Sequence, residues 1–399
     1  MTRAGWSFLL TVLTLLAIGL MVLASASGAY GLRLYNDANH FIVRQVVWVG
    51  VSIVVGVGAC FCDYHIWREK PWLTVLLYLG VVGLMAAVFA FPEVKGSHRW
   101  LKITSSLRLQ PSEFGKLAVV IATAVFVDRA GWRISKFWKG AVRASFIVAV
   151  IMGLAVLEPD FGATMVIGIT ACALFFISGM KILHLAALGA SGAAAFGVLL
   201  IFNKNRMNRI LSWFKTSGLS WFNSSVSDGG TIVLTAKEEA MNHQANAALV
   251  AIRNGGTTGV GYTKSMQKLQ YLPEAHTDFI FAVGAEELGL VFSLVLLALY
   301  VTVMVLGMIA AARSPDRLGR LIAYGMTFLI VFQALFNLGV VTKCLPTKGI
   351  ALPFISYGGT NLLTAAVATG VILNVFRQIE SPKLRPRSII SPMFETEGA

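Results

Sequence analysis

The chain has 399 residues, of which 56% are hydrophobic and only 13% are charged. A soluble domain carries about a quarter charged residues, so this composition excludes a soluble globular protein and indicates an integral membrane protein. The long apolar runs also exclude a transmembrane β-barrel, whose strands would alternate over short segments. The net charge of +14 is spread between these runs rather than gathered in one patch, which favours membrane-orientation signals over nucleic-acid binding.

Ten apolar segments follow one another along the chain, each near the roughly 20 residues that a helix needs to cross a bilayer. The predicted spans are 7–28, 43–62, 72–92, 111–128, 142–158, 161–179, 181–202, 277–311, 319–343 and 351–375. The first is interpreted as a retained helix rather than a cleaved signal peptide. The predicted fold is an all-α polytopic membrane protein with ten transmembrane helices over residues 1–377, followed by a disordered tail, 378–399.

Lysine and arginine in the short loops predict the orientation of the chain in the membrane. They are frequent between the fourth and fifth spans and in the tail, which places both termini in the cytoplasm. The large loop between helices 7 and 8, 203–276, is then extracytoplasmic, and the unusual polar segments lie on the same side. Within it, residues 206–214 suit either an amphipathic interfacial helix or an ordinary charged loop.

Residues 96–116 bring cations and one carboxylate to the start of the fourth span. Glu113 and Lys116 share one helix face because they are three residues apart. With Arg108 just before that face and Arg99 further out, the segment predicts a cradle for a phosphate or pyrophosphate. A capped helix start with a structural ion pair explains the same spacing, so both interpretations stay open.

Two carboxylates, Glu158 and Asp160, flank Pro159 at the sharp outer turn between the fifth and sixth spans. A turn in which Asp160 caps the next helix explains most of this motif. A contribution of Asp160 to substrate binding is the alternative.

Glu274, His276 and Asp278 form an acidic and titratable cluster where the eighth span begins. A carboxylate at a membrane boundary loses solvation, which marks a functional site by default. The resulting rise in proton affinity suits a general base, whereas a helix N-cap at Asp278 is the alternative interpretation. Glu286 and Glu287 lie deeper in the span and are expected to face a polar cavity or a partner side chain.

Prolines and glycines in residues 345–359 predict a broken, re-entrant backbone before or within the tenth span. Lys348, Ser356 and Tyr357 are expected to line it, and a purely structural kink is the alternative. A second glycine-rich stretch, 255–265, offers several backbone N–H groups for an anion nest. The spacing of the four cysteines indicates neither a disulfide nor a metal site.

These motifs together resemble the SEDS family (shape, elongation, division and sporulation) of bacterial membrane glycosyltransferases. The resemblance covers about residues 7–377. It rests on SAS at 25–27, Arg44-Gln45, GSHRW at 96–100, RLQPSEFGK at 108–116, EPDFG at 158–162, YLPEAHTDFIFA at 271–282, EELG at 286–289 and LPTKGIALPFISYGG at 345–359. The last stretch and QKLQYLPEAHTDFIFA look more like the division branch, FtsW, than the elongation branch, RodA. The chain departs from the family pattern at Ala247-Ala248 and near 215–238.

The resemblance implies an inverting glycosyltransferase of the bacterial inner membrane that polymerises lipid II into β-1,4-linked glycan strands at the division septum. It implies that Asp278 is the catalytic base for the acceptor hydroxyl, and that Arg108 and Lys116, with Glu113 beside them, hold the pyrophosphate. The further predicted substrate-binding residues are Arg99, Asp160, Glu274, His276, Lys348 and Ser356. The implied partners are a class B penicillin-binding protein (an FtsI-like transpeptidase) and FtsQLB-type regulators.

No ligand spacing in these motifs establishes a cofactor, and a divalent cation, Mg or Mn, is a candidate to share the pyrophosphate charge. A lipid II flippase and an elongation-branch polymerase are the alternative functions. A flippase would place polar residues along the full depth of the bundle, as transporters do. Here the polar motifs concentrate at the outer side, which favours the enzyme.

Overall fold

The computed structural model describes residues 1–92, 99–102, 108–201, 236–270, 272, 274–346 and 349–380. Four of the sequence predictions fall outside these residues. They concern Lys348, the interfacial helix at 206–214, most of the atypical stretch near 215–238 and the tail from residue 381.

The described chain is mostly helical, and each predicted span contains a helix. The helices are α1 (Arg3–Tyr35), α2 (His40–Phe61), α3 (Ile66–Glu69), α4 (Pro71–Ala87), α5 (Pro111–Ala130), α6 (Arg143–Leu157), α7 (Phe161–Ile177), α8 (Ile182–Ile201), α9 (Ala236–Gly255), α10 (Gln267–Gln270), α11 (Ile280–Arg313), α12 (Arg317–Val341) and α13 (Gly359–Glu380). Two short strands in the same described residues, β1 (Leu101–Lys102) and β2 (Arg108–Leu109), pair antiparallel just before α5.

Within the described residues, seven helices are long and apolar enough to cross a membrane: α1, α2, α4, α6, α11, α12 and α13, where α4 and α6 are extended by adjoining helical turns. Helices α7 and α8 are apolar but give shorter apolar stretches. Helix α5 starts and ends with charged residues, which lowers its hydropathy. A polytopic helical membrane fold is therefore present, and the count of ten crossings stays a prediction.

The two ends of the helical region lie on the same side of the bundle. The N-terminal amine of Met1 forms an ion pair with Glu380 at 2.7 Å. Chain ends that meet require an even number of crossings, which agrees with the predicted topology. Helix α13 continues to Glu380, three residues past the predicted domain boundary, because its last turn is held by this pair and by packing of Phe376 against Phe8.

The centre of the bundle is formed by α5, α12 and α13. In the most apolar window of α12, 72% of the residues are buried inside the protein, compared with 22% in α2 and in α4. Lipid is as apolar as a protein core, so the exposed valines and leucines of α2 and α4 are the expected outer surface of a membrane protein. Polar side chains must instead find partners inside the bundle.

The predicted start of the tenth span is wrong. The tenth span was predicted from residue 351, but α13 begins at Gly359 because residues 349–358 form the broken segment that precedes it. Apolar residues of this segment, such as Leu352, Phe354 and Ile355, are buried in the bundle without being helical, so hydropathy alone extends the tenth helix too far. The eighth span, predicted over 277–311, corresponds to α11, which begins at Ile280.

Helix α11 is broken at Gly289, whose φ of 71° lies in the left-handed region. A neighbouring loop binds to α11 at this break. The N–H groups of Val260 and Gly261 donate hydrogen bonds to the carbonyls of Glu286 and Glu287, respectively, both at 3.0 Å. A Cβ on Gly289 would lie 2.4 Å from the Gly259 nitrogen, so this approach requires glycine. The N–H groups of Val260 and Gly261 are therefore bonded to α11 and do not contribute to the predicted anion nest.

The carboxylates of Glu286 and Glu287 have the polar partners that their depth predicts. Glu287 accepts hydrogen bonds from Ser25 at 2.6 Å and from Lys268 at 2.5 Å, and Ser265 donates to Glu286. Helix α9 packs against the same helix, α11, with Ala248 fully buried. The EELG motif thus anchors the second half of the large loop onto the membrane bundle.

Candidate functional site

The start of α5 carries a buried ion pair. The Lys116 ammonium lies 2.7 Å from Glu113, and both side chains are buried. Lys116 also donates to Gln333 of α12 at 2.7 Å, and Thr364 of α13 donates to the second Glu113 oxygen at 3.3 Å. A buried charge is tolerated only with such partners. The pair therefore ties the three central helices together, which is the structural interpretation of its spacing.

Gln333 links the ion pair to the broken segment and to α13. Its amide nitrogen donates to the carbonyl of Ala351 at 3.0 Å and to Asn361 at 2.8 Å. Four residues later on the same helix face, Asn337 donates to the carbonyls of Ile350 at 2.6 Å and Asp278 at 2.9 Å. One face of α12 thus holds both the backbone at Asp278 and the broken segment that lies beside it.

Asp278 lies in a turn just before α11. The N-cap of α11 is Phe279 and no side chain caps this helix, so the N-cap interpretation of Asp278 is wrong. The Asp278 carboxylate, which is half-buried, instead lies against the backbone of the broken segment. A Cβ added to Gly349 would come within 2.5 Å of Oδ2, so only glycine leaves room for the carboxylate in this position.

Ser356 holds the two segments together through main-chain contacts. Its hydroxyl donates to the carbonyl of Thr277 at 2.6 Å and accepts from the N–H of Leu352 at 2.8 Å. The N–H of Tyr357 donates to the carbonyl of His276 at 3.0 Å. With both hydroxyl functions engaged, Ser356 positions the backbone beside Asp278.

His276 is buried in a group of aromatic rings. Its ring centre lies 4.9 Å from Tyr30, 4.7 Å from Phe41 and 5.8 Å from Tyr357. Burial raises the pKa of Tyr357, and this rise is opposed by the charge and hydrogen bond of Arg44 and by the charge of Arg108. Because the charge of Arg108 acts on Tyr357, this predicted cation lies near the broken segment that contacts Asp278.

Glu274 forms the bend of the Asp278 turn. Its φ of 57° is in the left-handed region, and the hydroxyl of Thr277 donates to its carbonyl at 3.1 Å and its carboxylate at 3.2 Å. These contacts stabilise the turn that carries His276 and Asp278.

Asp160 makes the predicted cap of α7 and also reaches α5. Its Oδ1 accepts from the N–H of Ala163 at 3.1 Å, while Oδ2 accepts from Gln110 at 2.7 Å and Ser112 at 2.8 Å. Glu158, two residues before it, is fully buried, and neither carboxylate oxygen has a hydrogen-bond partner among the described residues. Burial, reinforced by the charge of Asp160 and opposed by Arg99, raises the pKa of Glu158 to about 8.

These motifs meet at one end of the bundle. The N–H of Gln110 donates to Thr360 at 3.3 Å, which joins the start of α5 to the start of α13, directly after the broken segment. A Cβ on Gly162 would lie 2.7 Å from Ile350, so the start of α7 touches the same segment. In the described parts of the chain, no three His, Cys, Asp or Glu side chains are placed to hold a metal ion.

Sequence reasoning missed the uncharged members of this network: Gln45, Gln110, Gln333, Asn337 and Asn361. Gln45 of α2 is buried and bonds to the backbone of the broken segment at Ser356 and Gly358, at 3.4 and 3.3 Å. The available signal was a lone amide within an apolar membrane helix, since such a side chain needs a partner inside the bundle.

Three comparisons place the chain among known proteins. It matches the FtsW/RodA/SpoVE family profile, described as a cell cycle protein, over residues 6–381. It is 33% identical over 387 residues to the probable peptidoglycan glycosyltransferase FtsW of Coxiella burnetii (strain RSA 493 / Nine Mile phase I). The aligned residues cover 94% of this chain and 98% of that protein. It is 33% identical over 373 residues to stage V sporulation protein E of Bacillus subtilis (strain 168), with 92% and 96% covered.

The fold matches a chain of a structure described as "Structural coordination of polymerization and crosslinking by a peptidoglycan synthase complex". The TM-score is 0.69 at 24% identity, with 94% of this chain and 98% of that chain covered.

Proposed function

The chain belongs to the FtsW/RodA/SpoVE family, and from that premise we propose that it is a septal peptidoglycan glycosyltransferase that polymerises lipid II into β-1,4-linked glycan strands. The observation that carries the proposal is the position of Asp278. A half-buried carboxylate at the boundary of the bundle lies against a broken backbone segment that glycine keeps open at Gly349. Near-full-length similarity to proteins named as peptidoglycan glycosyltransferases supports this reaction over a transport role.

In the proposed reaction, Asp278 takes the proton of the acceptor 4-hydroxyl of GlcNAc. The acceptor oxygen forms a bond to the anomeric carbon of the donor as the bond to the pyrophosphate oxygen breaks. The pyrophosphate lipid leaves with its electron pair, and the configuration at the anomeric carbon inverts. The transition state resembles an oxocarbenium ion, as in related glycoside chemistry.

The cations have two different parts in this proposal. Arg108 is exposed and close enough to influence Tyr357, so it is free to approach the departing pyrophosphate and stabilise its charge. Lys116 is buried and engaged with Glu113 and Gln333, so it acts mainly by holding the broken segment in place. We expect Arg99, whose charge acts on Glu158, to extend the cationic side of the site.

Partners and location complete the proposal. We propose that a class B penicillin-binding protein of the FtsI type docks from the outer side, together with FtsQLB-type regulators. The fold match to a chain of a peptidoglycan synthase complex is consistent with such an assembly. We place the protein in the bacterial inner membrane at the division septum. A divalent cation that enters with the pyrophosphate stays a prediction.

The test is polymerisation by purified protein with its cognate penicillin-binding protein, supplied with lipid II and analysed for glycan ladders. Asp278→Asn removes the proton acceptor with little change in size, and we expect at least a hundredfold loss of product. Asp37→Asn is the matched control, because Asp37 is an exposed aspartate in the loop that follows α1, at the same end of the bundle. Full polymerisation by Asp278→Asn would refute the assignment of the base.

A further inference from the structure

A second site lies at the opposite end of α5 from Asp278. The helix has 20 residues, so its ends are about 30 Å apart. A cavity of about 580 Å³ opens where α5 ends and α6 begins, which we call the α5–α6 basic cavity. Its lining consists of Phe126, Arg129, Ala130, Trp132, Arg133, Lys136, Lys139 and Arg143. Five of these eight residues are cations and none is an acid.

The local backbone explains why the cations converge. Gly131, with a φ of 56°, ends α5 and turns the chain into a 3₁₀ helix, Gly131–Ser135, followed by a π-helical turn, Phe137–Val142. These two turns pack closely, since a Cβ on Gly140 would lie 2.3 Å from the Arg133 carbonyl. The tight winding brings side chains from positions 133 to 143 around one concavity.

Three of the five cations of the cavity have no ion-pair partner in the part of the protein that the structure describes. Arg129 donates to the carbonyl of Arg68 at 2.7 Å, and Lys136 lies 4.4 Å from the centre of the Trp132 ring. Arg133, Lys139 and Arg143 form no ion pair with any described carboxylate. Three like charges around one concavity repel each other unless an anion enters.

Two tryptophans fix the depth of the cavity. Trp132 and Trp138 are 67% and 75% exposed, and they flank the cations. Exposed tryptophans of membrane proteins lie at the level of the lipid headgroups. Phe146, one turn into α6, is 70% exposed and faces the acyl chains by the same argument. The cavity therefore opens at headgroup level, on the cytoplasmic side by the predicted orientation.

We propose that the α5–α6 basic cavity binds the headgroup phosphate of an anionic phospholipid, such as phosphatidylglycerol, from the cytoplasmic leaflet. Arginine guanidinium groups suit a phosphodiester because they donate two parallel hydrogen bonds. The volume falls within the range of about 300–1,000 Å³ for small-molecule sites, and basic pockets between membrane helices on this side take anionic headgroups. The tryptophans would pack against the glycerol and the first methylenes of the acyl chains.

The competing explanation is that these cations only orient the protein during membrane insertion. That role needs positive charge in the loop but no concavity, no flanking tryptophans and no specific lipid. Binding to the folded protein therefore separates the two explanations.

The experiment is native mass spectrometry of the purified full chain titrated with phosphatidylglycerol or with zwitterionic phosphatidylcholine. We expect at least tenfold tighter binding of phosphatidylglycerol. The triple variant Arg133→Gln/Lys139→Gln/Arg143→Gln should lose that preference. The control triple variant Lys70→Gln/Arg313→Gln/Arg320→Gln should keep it, because it removes three exposed cations predicted to lie on the same side but outside the cavity.

An unchanged preference in the cavity variant, or an equal loss in the control, would overturn the proposal. Glycerol phosphate is added as a competitor, and displacement of the lipid at similar concentrations would assign the cavity to a soluble anion instead. If the triple variant does not accumulate, the single variants Arg133→Gln and Arg143→Gln replace it, each expected to weaken binding about threefold, and wild-type affinity in both would refute the site. No step of this test depends on glycan polymerisation.

Discussion

Glu158 gives the most quantitative test of the structure, because it is a buried carboxyl without a hydrogen-bond partner among the described residues. Its pKa is raised from an ordinary value of 4.5 to about 8, first by burial and then by the charge of Asp160. Each tenfold change in proton affinity corresponds to about 1.4 kcal/mol, so the rise is equivalent to about 5 kcal/mol. Relaxation and water entry reduce such penalties, and we expect about 2–4 kcal/mol in practice.

The sign follows from proton linkage. The folded protein binds the Glu158 proton more tightly than the unfolded chain, so the contribution of Glu158 to stability is fully present below pH 4.5 and is lost as the pH rises to about 8. The isosteric change Glu158→Gln mimics the neutral acid and cannot ionise. The variant should match the wild type at pH 5 and be more stable at pH 9.

The assay is thermal unfolding of the detergent-solubilised protein between pH 5 and pH 9, followed by intrinsic fluorescence. At pH 9 we expect the Tm of Glu158→Gln to be higher than that of the wild type by about 5 °C, and at pH 5 we expect the two Tm values to be equal. Asp37→Asn, which changes an exposed acid, should follow the wild type throughout. Equal Tm values for Glu158→Gln and wild type at both pH values would refute the argument from burial.

Two further predictions concern the proposed site. Gly349→Ala places a Cβ within 2.5 Å of Asp278 Oδ2, and this variant should lower polymerisation at least tenfold with little change in Tm. Gly358→Ala, whose nearest new contact is 3.8 Å away, should leave both polymerisation and Tm nearly unchanged. Lys116→Gln leaves the Glu113 charge buried without its partner and should lower stability by about 3–5 kcal/mol, much of which the double change Glu113→Gln/Lys116→Gln should restore. Unfolding measurements on the single and double variants check the second case, and an additive double variant would contradict it.

The positions of the helices could be predicted from sequence because a bilayer leaves the backbone few alternatives to a helix. The same reasoning found the cap at Asp160 and the broken segment before α13, since both depend on residues near one another in the chain. The same reasoning failed where a structural feature depends on residues that are distant in the chain. The break in α11 at Gly289 depends on hydrogen bonds from Val260 and Gly261, and the helical period of α11 contains no sign of that loop.

The contacts of the candidate site were harder to predict for the same reason. Spacing indicated that Glu113 and Lys116 share a face, but not whether they pair with each other or bind a ligand. The deciding partner, Gln333, is 217 residues from Lys116 along the chain. A buried amide in an apolar helix signals that a partner exists, yet it does not identify the partner, because many backbone carbonyls could serve.

The ion pair and the proposed base are connected through one helix face. Gln333 binds Lys116 on one side and the carbonyl of Ala351 on the other, while Asn337, one turn further along α12, binds the carbonyls of Ile350 and Asp278. Removing Lys116 would leave the amide oxygen of Gln333 without its donor, and we expect the side chain to shift, loosen the 349–351 segment and move the backbone against which the Asp278 carboxylate rests. Loss of activity in such a variant is therefore expected without any contact between Lys116 and substrate. Because both effects act through the same three residues of backbone, Lys116→Gln and Asn337→Ala should combine to less than the sum of their separate effects on activity.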